Sequence, residues 1–267
     1  MDKLEAATES QSIDDQELIT DDPKYQSMLE EQTLIEQFRM ENKIKEPVKL
    51  WKYVNNNLFV MNILSILGIF WGASLFSKEF KSNTIKSLLA TPFSRREIYL
   101  SKFLALGLVV CIGTLLTYLV SFLIGAVYYQ PSFTEAGSFL IMRDDEVVEY
   151  SAYTYTLFRY LLKGLEIMVV SYIALTISVL VRGFILSIIV SYLLFFIGDA
   201  VVLYFTGRAE WIDYSLFANI NYSSYMSGSS FMNGSSLSTS LTITVLYIAG
   251  LYAISLKHLN TKDIGAI

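Results

Sequence analysis

Residues 77–102 read SKEFKSNTIKSLLATPFSRREIYLSK, a polar stretch between two runs that are almost free of charge. Its cations are Lys78, Lys81, Lys86, Arg95, Arg96 and Lys102, set against the two acids Glu79 and Glu97. On either side the chain is apolar for the length of a bilayer crossing, which takes roughly 20 residues of helix. Short loops rich in Lys and Arg stay in the cytoplasm, so the stretch is expected inside and every other loop takes its side from it.

The composition agrees. Of 267 residues 53% are hydrophobic and 17% charged, well below the about 25% charge of soluble domains. Five runs are long enough to cross: 58–76, 103–128, 160–181, 184–205 and 239–256. They lack the strict alternation of barrel strands, so the expected class is an all-α polytopic membrane protein. Residues 57–267 form the transmembrane domain, and residues 1–56 a polar, extracytoplasmic segment holding thirteen acids against seven bases. Within it Asp22-Pro23 starts a helix. Tyr25, Met28, Leu29, Ile35 and Phe38 approximate one apolar face, expected to rest on the outside of the spans. The loops 129–156 and 206–240 lie on the same outer side, and the C-terminus lies inside.

Several functions are disfavoured by what the residues lack. One cysteine (Cys111) and one histidine (His258) cannot build a metal centre, and a net charge of −5 gives nucleic acid no purchase. The chain has no Gly-rich phosphate loop ending in Gly-Lys-Ser/Thr, and hence no visible means of binding nucleotide.

The basic stretch has internal architecture. Phe80, Thr84, Ile85, Leu88 and Leu89 recur at helical spacing, and Thr91-Pro92 stops that helix. Ser94 and Glu97 then form a capping box that opens the next span. Phe76, Glu79, Thr84, Lys86, Leu88, Leu89, Pro92, Ser94, Arg95, Ile98 and Lys102 together resemble the signature of type-2 ABC exporter permeases. Arg182-Gly183 and the tail Lys262-Asp263-Ile264 are similar to further family features. Asn83 stands where the family carries Gly. Members similar to this chain have six spans and the first is missing here, with 1–56 resembling the loop that follows it; the resemblance implies either a further span upstream of residue 1 or a shortened member.

The resemblance implies the membrane subunit of an ATP-driven exporter in the cytoplasmic membrane, paired with a separate ABC ATPase subunit and a second permease copy. ATP and Mg would belong to the ATPase, and this chain would carry no cofactor and no catalytic residue. The stretch 77–102 would be the coupling loop. Glu79, Lys81 and Lys86 would meet the ATPase surface, while Arg95, Arg96 and Lys102 would hold the hairpin at the lipid boundary. The spans at 58–76 and 103–128 would tilt together. The alternatives are a secondary transporter and a non-transporting scaffold or sensor. A membrane enzyme is the weakest reading, because no carboxylate pair or nucleophile stands at a catalytic spacing.

Three ionisable residues lie inside the spans, where a charge costs about 2.5–3.5 kcal/mol on insertion scales. Glu166 and Asp199 fall in the outer half, with Lys163 one turn before Glu166. A Lys163–Asp199 pair would lock two helices, whereas Glu166 and Asp199 facing a gap would line a path for cargo. Gly68 and Gly72, four apart, give one helix face on which a neighbour can approach closely. Asn62 in the same span is a weaker candidate for bonding between helices.

Overall fold

In the computed structural model, the described residues are 23–82, 84, 92–130, 136–143, 146–181, 183–206, 208–226 and 236–261. Among them five helices are long and apolar enough to cross a membrane. In chain order the elements are α1 (Pro23–Glu41), α2 (Lys49–Asn56), α3 (Met61–Lys81), α4 (Arg95–Tyr129), β1 (Ser138–Arg143), β2 (Glu146–Ser151), α5 (Ala152–Val181), α6 (Phe184–Phe205), α7 (Leu216–Asn219) and α8 (Leu237–Thr261). A 3₁₀ turn over Asn57–Val60 joins α2 to α3, so the first crossing helix runs from Lys49 to Lys81.

Helix α5 is the hub. In its most apolar stretch 72% of residues are buried, against 11–44% for the other four crossing helices, and it packs on α3, α4, α6 and α8. Its sequence permits this because small and hydroxylated residues alternate with Val, Ile and Leu. Ser171 donates to the Ile167 carbonyl at 2.7 Å, Thr176 to Tyr172 at 3.0 Å and Ser178 to Leu175 at 2.7 Å. Each buried hydroxyl is thus satisfied within its own helix and asks nothing of its neighbour. Gly68 and Gly72 of α3 lie directly on this face. A Cβ at Gly68 would collide with the Ser171 hydroxyl, and one at Gly72 with the Ser171 carbonyl oxygen.

The polar segment differs from expectation at both ends. Residues 49–56 belong to the bundle, because Leu50 and Val54 are buried in a cluster with Met61, Leu64, Val110, Tyr160 and Ile167. The Tyr160 hydroxyl donates to the Val54 carbonyl at 3.0 Å, which holds α2 against α5. Helix α1 does begin at Pro23, but it packs on the strand pair. Its apolar residues do not gather on one face: Ile35 and Phe38 are half-buried while Leu29, Leu34 and Met40 are exposed. The side chains of Tyr25 and Met28 lie outside the described residues.

The fold is helical as expected, with one strand pair outside the spans where a plain loop is expected. β1 and β2 form an antiparallel hairpin with Ser138 opposite Ser151 and Arg143 opposite Glu146. The runs Phe139-Leu-Ile and Val147-Val have the aromatic and β-branched character of strands, on either side of Asp144-Asp145. Gly137 turns the chain into β1 with φ +70, where a Cβ would strike the Glu46 carbonyl. Backbone bonds from Ser138 to Lys45 (3.0 Å) and from Val48 to Ala136 (3.2 Å) then fasten the hairpin to the approach to α2.

Replacing Gly72 by leucine is expected to force α3 off α5 and to destabilise the bundle by about 1–3 kcal/mol, the range for overpacking. The control is Gly250→Leu, at a position with nothing within 4 Å, which should leave stability unchanged. Thermal unfolding of the two variants in the same detergent makes the comparison.

Candidate functional site

Two constructions stand out, one at the basic end of the bundle and one in its interior. At the basic end the capping box is formed as expected: Ser94 Oγ accepts from the Glu97 amide at 3.2 Å, and Glu97 Oε2 accepts from the Ser94 amide at 2.7 Å. This fixes the first turn of α4 and aims its next residues inward. Arg95 reaches across to the last turn of α8, where its guanidinium donates to the Leu259 and Asn260 carbonyls. A cation there satisfies carbonyls that the helix leaves open and complements its dipole.

Lys102 pairs with Glu79 at 2.5 Å and donates to the Leu75 carbonyl at 2.7 Å, with its ammonium 4.2 Å from the centre of the Phe76 ring. Both side chains are largely shielded, and together they tie α3 to α4 one turn inside the loop. Glu79 is turned into the bundle toward Lys102, and Arg95 and Lys102 both reach neighbouring helices. Lys81, Thr84, Pro92, Ser94 and Arg96 are exposed. Lys86, and with it the helix expected over the middle of the loop, lies outside the described residues, as do Arg182 and the tail from Lys262.

The second construction is a cavity of about 570 Å³ between α3, α5, α6 and the segment that follows α6. Asn62, Ser65, Ile66 and Ile69 come from α3, Lys163 and Glu166 from α5, and Tyr192, Phe195, Phe196, Val202 and Leu203 from α6. Thr206, Phe217, Ala218, Ile220 and Asn221 complete it. Its volume lies within the range of small-molecule sites. Lys163 pairs with Glu166 of its own helix at 2.5 Å, and Glu166 is only 6% exposed. The side chain of Asp199 lies outside the described residues.

Residues 210–226 were expected to be a polar outer loop, and here the structure differs most. Two 3₁₀ turns and the short α7 fold back against α5, burying Ile212, Leu216, Ile220 and Tyr222. Phe217 sits against Gly198, seven residues inside the end of α6 and so about 10 Å down the helix. Asn219 holds the shape: its amide donates to the Asp213 carbonyl at 2.6 Å and the Ser215 carbonyl at 2.9 Å, and its oxygen accepts from Ser240 of α8 at 2.7 Å. Non-helical backbone at such depth is tolerated where it is buried in protein or lines a cavity, and this segment does both. Its sequence signal was the run Ile212, Leu216, Phe217, Ile220, Tyr222 among polar residues.

A family profile described as "Protein of unknown function (DUF2705)" matches residues 26–265, and the chain belongs to this family. The chain is similar to "Uncharacterized protein YhcI" of Bacillus subtilis (strain 168), with 25% identity over 232 residues, 86% of this chain and 74% of the relative. It is also similar to "Uncharacterized membrane protein YdbK" of the same organism, with 25% identity over 167 residues, 62% of this chain and 63% of the relative. The five apolar helices and the second relative's description agree on a multi-pass membrane protein.

Removing one member of the pair at the basic end, by Lys102→Met or Glu79→Gln, should cost roughly 1–3 kcal/mol, because the remaining group stays shielded without its partner. The double substitution should recover much of that loss. Unfolding midpoints of the three variants check it, and additive losses in the double variant would count against the pair.

Proposed function

We propose that this family member is the membrane-spanning permease subunit of an ATP-driven exporter, moved by hydrolysis on a separate ATPase chain. The single observation carrying the reading is the junction at the basic end. There a charged loop enters two spans that Lys102, Glu79 and Leu75 join side by side, while Arg95 holds the end of a third. A force applied to the loop would move α3, α4 and α8 as one body, as an energy-coupling joint requires. The resemblance of Phe76 through Lys102 to type-2 exporter permeases supports the same reading.

In this proposal the basic loop and the C-terminus face the cytoplasm and the hairpin faces outward, by the rule that Lys- and Arg-rich loops stay inside. The protein would reside in the cytoplasmic membrane and function with a second permease copy. Nucleotide and Mg would be bound by the ATPase, and this chain would perform no chemistry. The partner-facing groups among the described residues would be Lys81, Thr84 and Arg96, since Glu79 is held inside. The cavity beside Lys163 and Glu166 is where cargo would pass.

Reversing the charge of the outward-facing cations, in Lys81→Glu with Arg96→Glu, should lower copurification of a P-loop ATPase from native membranes by about tenfold, through like-charge contact or lost attraction. The isolated variant should remain monodisperse. Undiminished copurification with undiminished ATP-dependent export would overturn the proposal.

A further inference from the structure

The cavity is graded along the bundle. Lys163 and Glu166 lie eighteen and fifteen residues before the end of α5, and Asn62 and Ser65 lie nineteen and sixteen residues before the end of α3. At 1.5 Å per residue these four polar groups stand about 22–29 Å from the helix ends nearest the basic loop. Thr206 lies at the same far end, as the cap of α6. Ile69 of α3 and Tyr192, Phe195 and Phe196 of α6 line the lower part, about 12–18 Å from the basic ends of their helices. The polar group of that lower part is the Tyr192 hydroxyl, which donates to the Ile66 carbonyl at 2.8 Å. From Lys163 down to Tyr192 is about 15 Å, one leaflet of a hydrocarbon core about 30 Å thick.

The space also borders the side of the bundle. Asn62, Ile66, Phe196 and Leu203 are lining residues that are exposed, Phe196 and Leu203 by 67% and 72%, on the surface that the bilayer would cover. Lys163 and Glu166 are paired, and their charges balance. Asn62 is different: among the described residues its amide has no hydrogen-bond partner within the protein. A wholly apolar ligand would leave that amide unpaired, and a wholly polar one would lose its water against Ile69, Phe195 and Phe196 without compensation.

We propose that this cavity binds a single-chain amphiphile taken from the leaflet away from the basic end. Its head, able both to donate and to accept hydrogen bonds, lies at the level of Asn62, Lys163 and Thr206, and its chain runs down the wall of Ile66, Phe195 and Phe196. A volume of about 570 Å³ is of small-molecule size and suits one chain with a compact head. The head needs no net charge, since the described charges beside it are already paired. Calling the ligand cargo rests on the exporter reading; its binding does not.

The test uses the purified full chain, without any ATPase, in phosphatidylcholine nanodiscs. One probe is a monoacylglycerol with a photoactivatable diazirine in its chain, and the other is an alkane of the same length with the same diazirine and no head. After illumination, mass mapping should place the monoacylglycerol on Ile66, Phe195 and Phe196, saturably, at one adduct per chain and displaced by unlabelled monoacylglycerol. The alkane should label the exposed face of α4, at Leu108 and Leu115, without saturation. Asn62→Leu should raise the concentration needed for half-maximal labelling by about fivefold, the worth of one hydrogen bond, and leave labelling of α4 unchanged. Ala218→Trp, which fills part of the cavity, should abolish the adduct there. Asn62→Leu keeps the test decisive if Ala218→Trp fails to fold, because position 62 is exposed and the change removes no packing. Monoacylglycerol labelling that is unsaturable and spread over α4, equal saturable labelling of the cavity by the alkane, or an unchanged midpoint in Asn62→Leu would overturn the inference. Any of these results would leave the ATPase copurification experiment to decide the exporter reading on its own.

Discussion

The approach of α3 to α5 at Gly68, Gly72 and Ser171 is the contact on which the rest of the molecule is built. Lipid supplies no hydrophobic drive between helices, so association depends on how closely backbones can pack. Two missing side chains on one helix and a self-satisfied serine on the other bring these two together along the middle of their length. Helix α5 is thereby fixed as the hub, and α4, α6 and α8 arrange themselves around what remains of its surface. The cavity lies beyond this contact toward the hairpin end, where Asn62, Ser65 and Ile66 face Lys163 and Glu166 across open space.

Charge is handled differently at the two sites. At the basic end every described contact of Lys102 and Arg95 joins one helix to another, and the cations act as fasteners. In the interior Lys163 and Glu166 pair along one helix. A buried pair is a weak source of stability, since desolvation consumes most of its attraction. Its position at the wall of a cavity is better explained by what it presents to that space.

Much of this was legible in the sequence, in proportion to how local the deciding physics is. The five crossings, the Pro23 start of α1 and the Ser94 capping box follow from apolar length and short-range hydrogen bonding, and each is present. The glycine pair pointed to a close neighbour without saying which. Lys102 and Arg95 could be placed at a membrane boundary, but their partners lie 23 and 164 residues away, and no periodicity reveals contacts at that separation. The hairpin was hidden by its acids. Residues 210–226 were hidden by their serines and asparagines, because hydropathy averages over the single side chains, such as Phe217 and Ile220, that draw the segment inward.

The grip of Arg95 on Leu259 and Asn260 joins the start of α4 to the end of α8. A polypeptide emerging from the ribosome in order delivers Arg95 long before those carbonyls exist. Until α8 has been made, the guanidinium lacks these carbonyls, and the bundle stays open on that flank. Arrival of α8 therefore closes it, and a nascent chain cut short before Leu259 would leave the basic end unlatched.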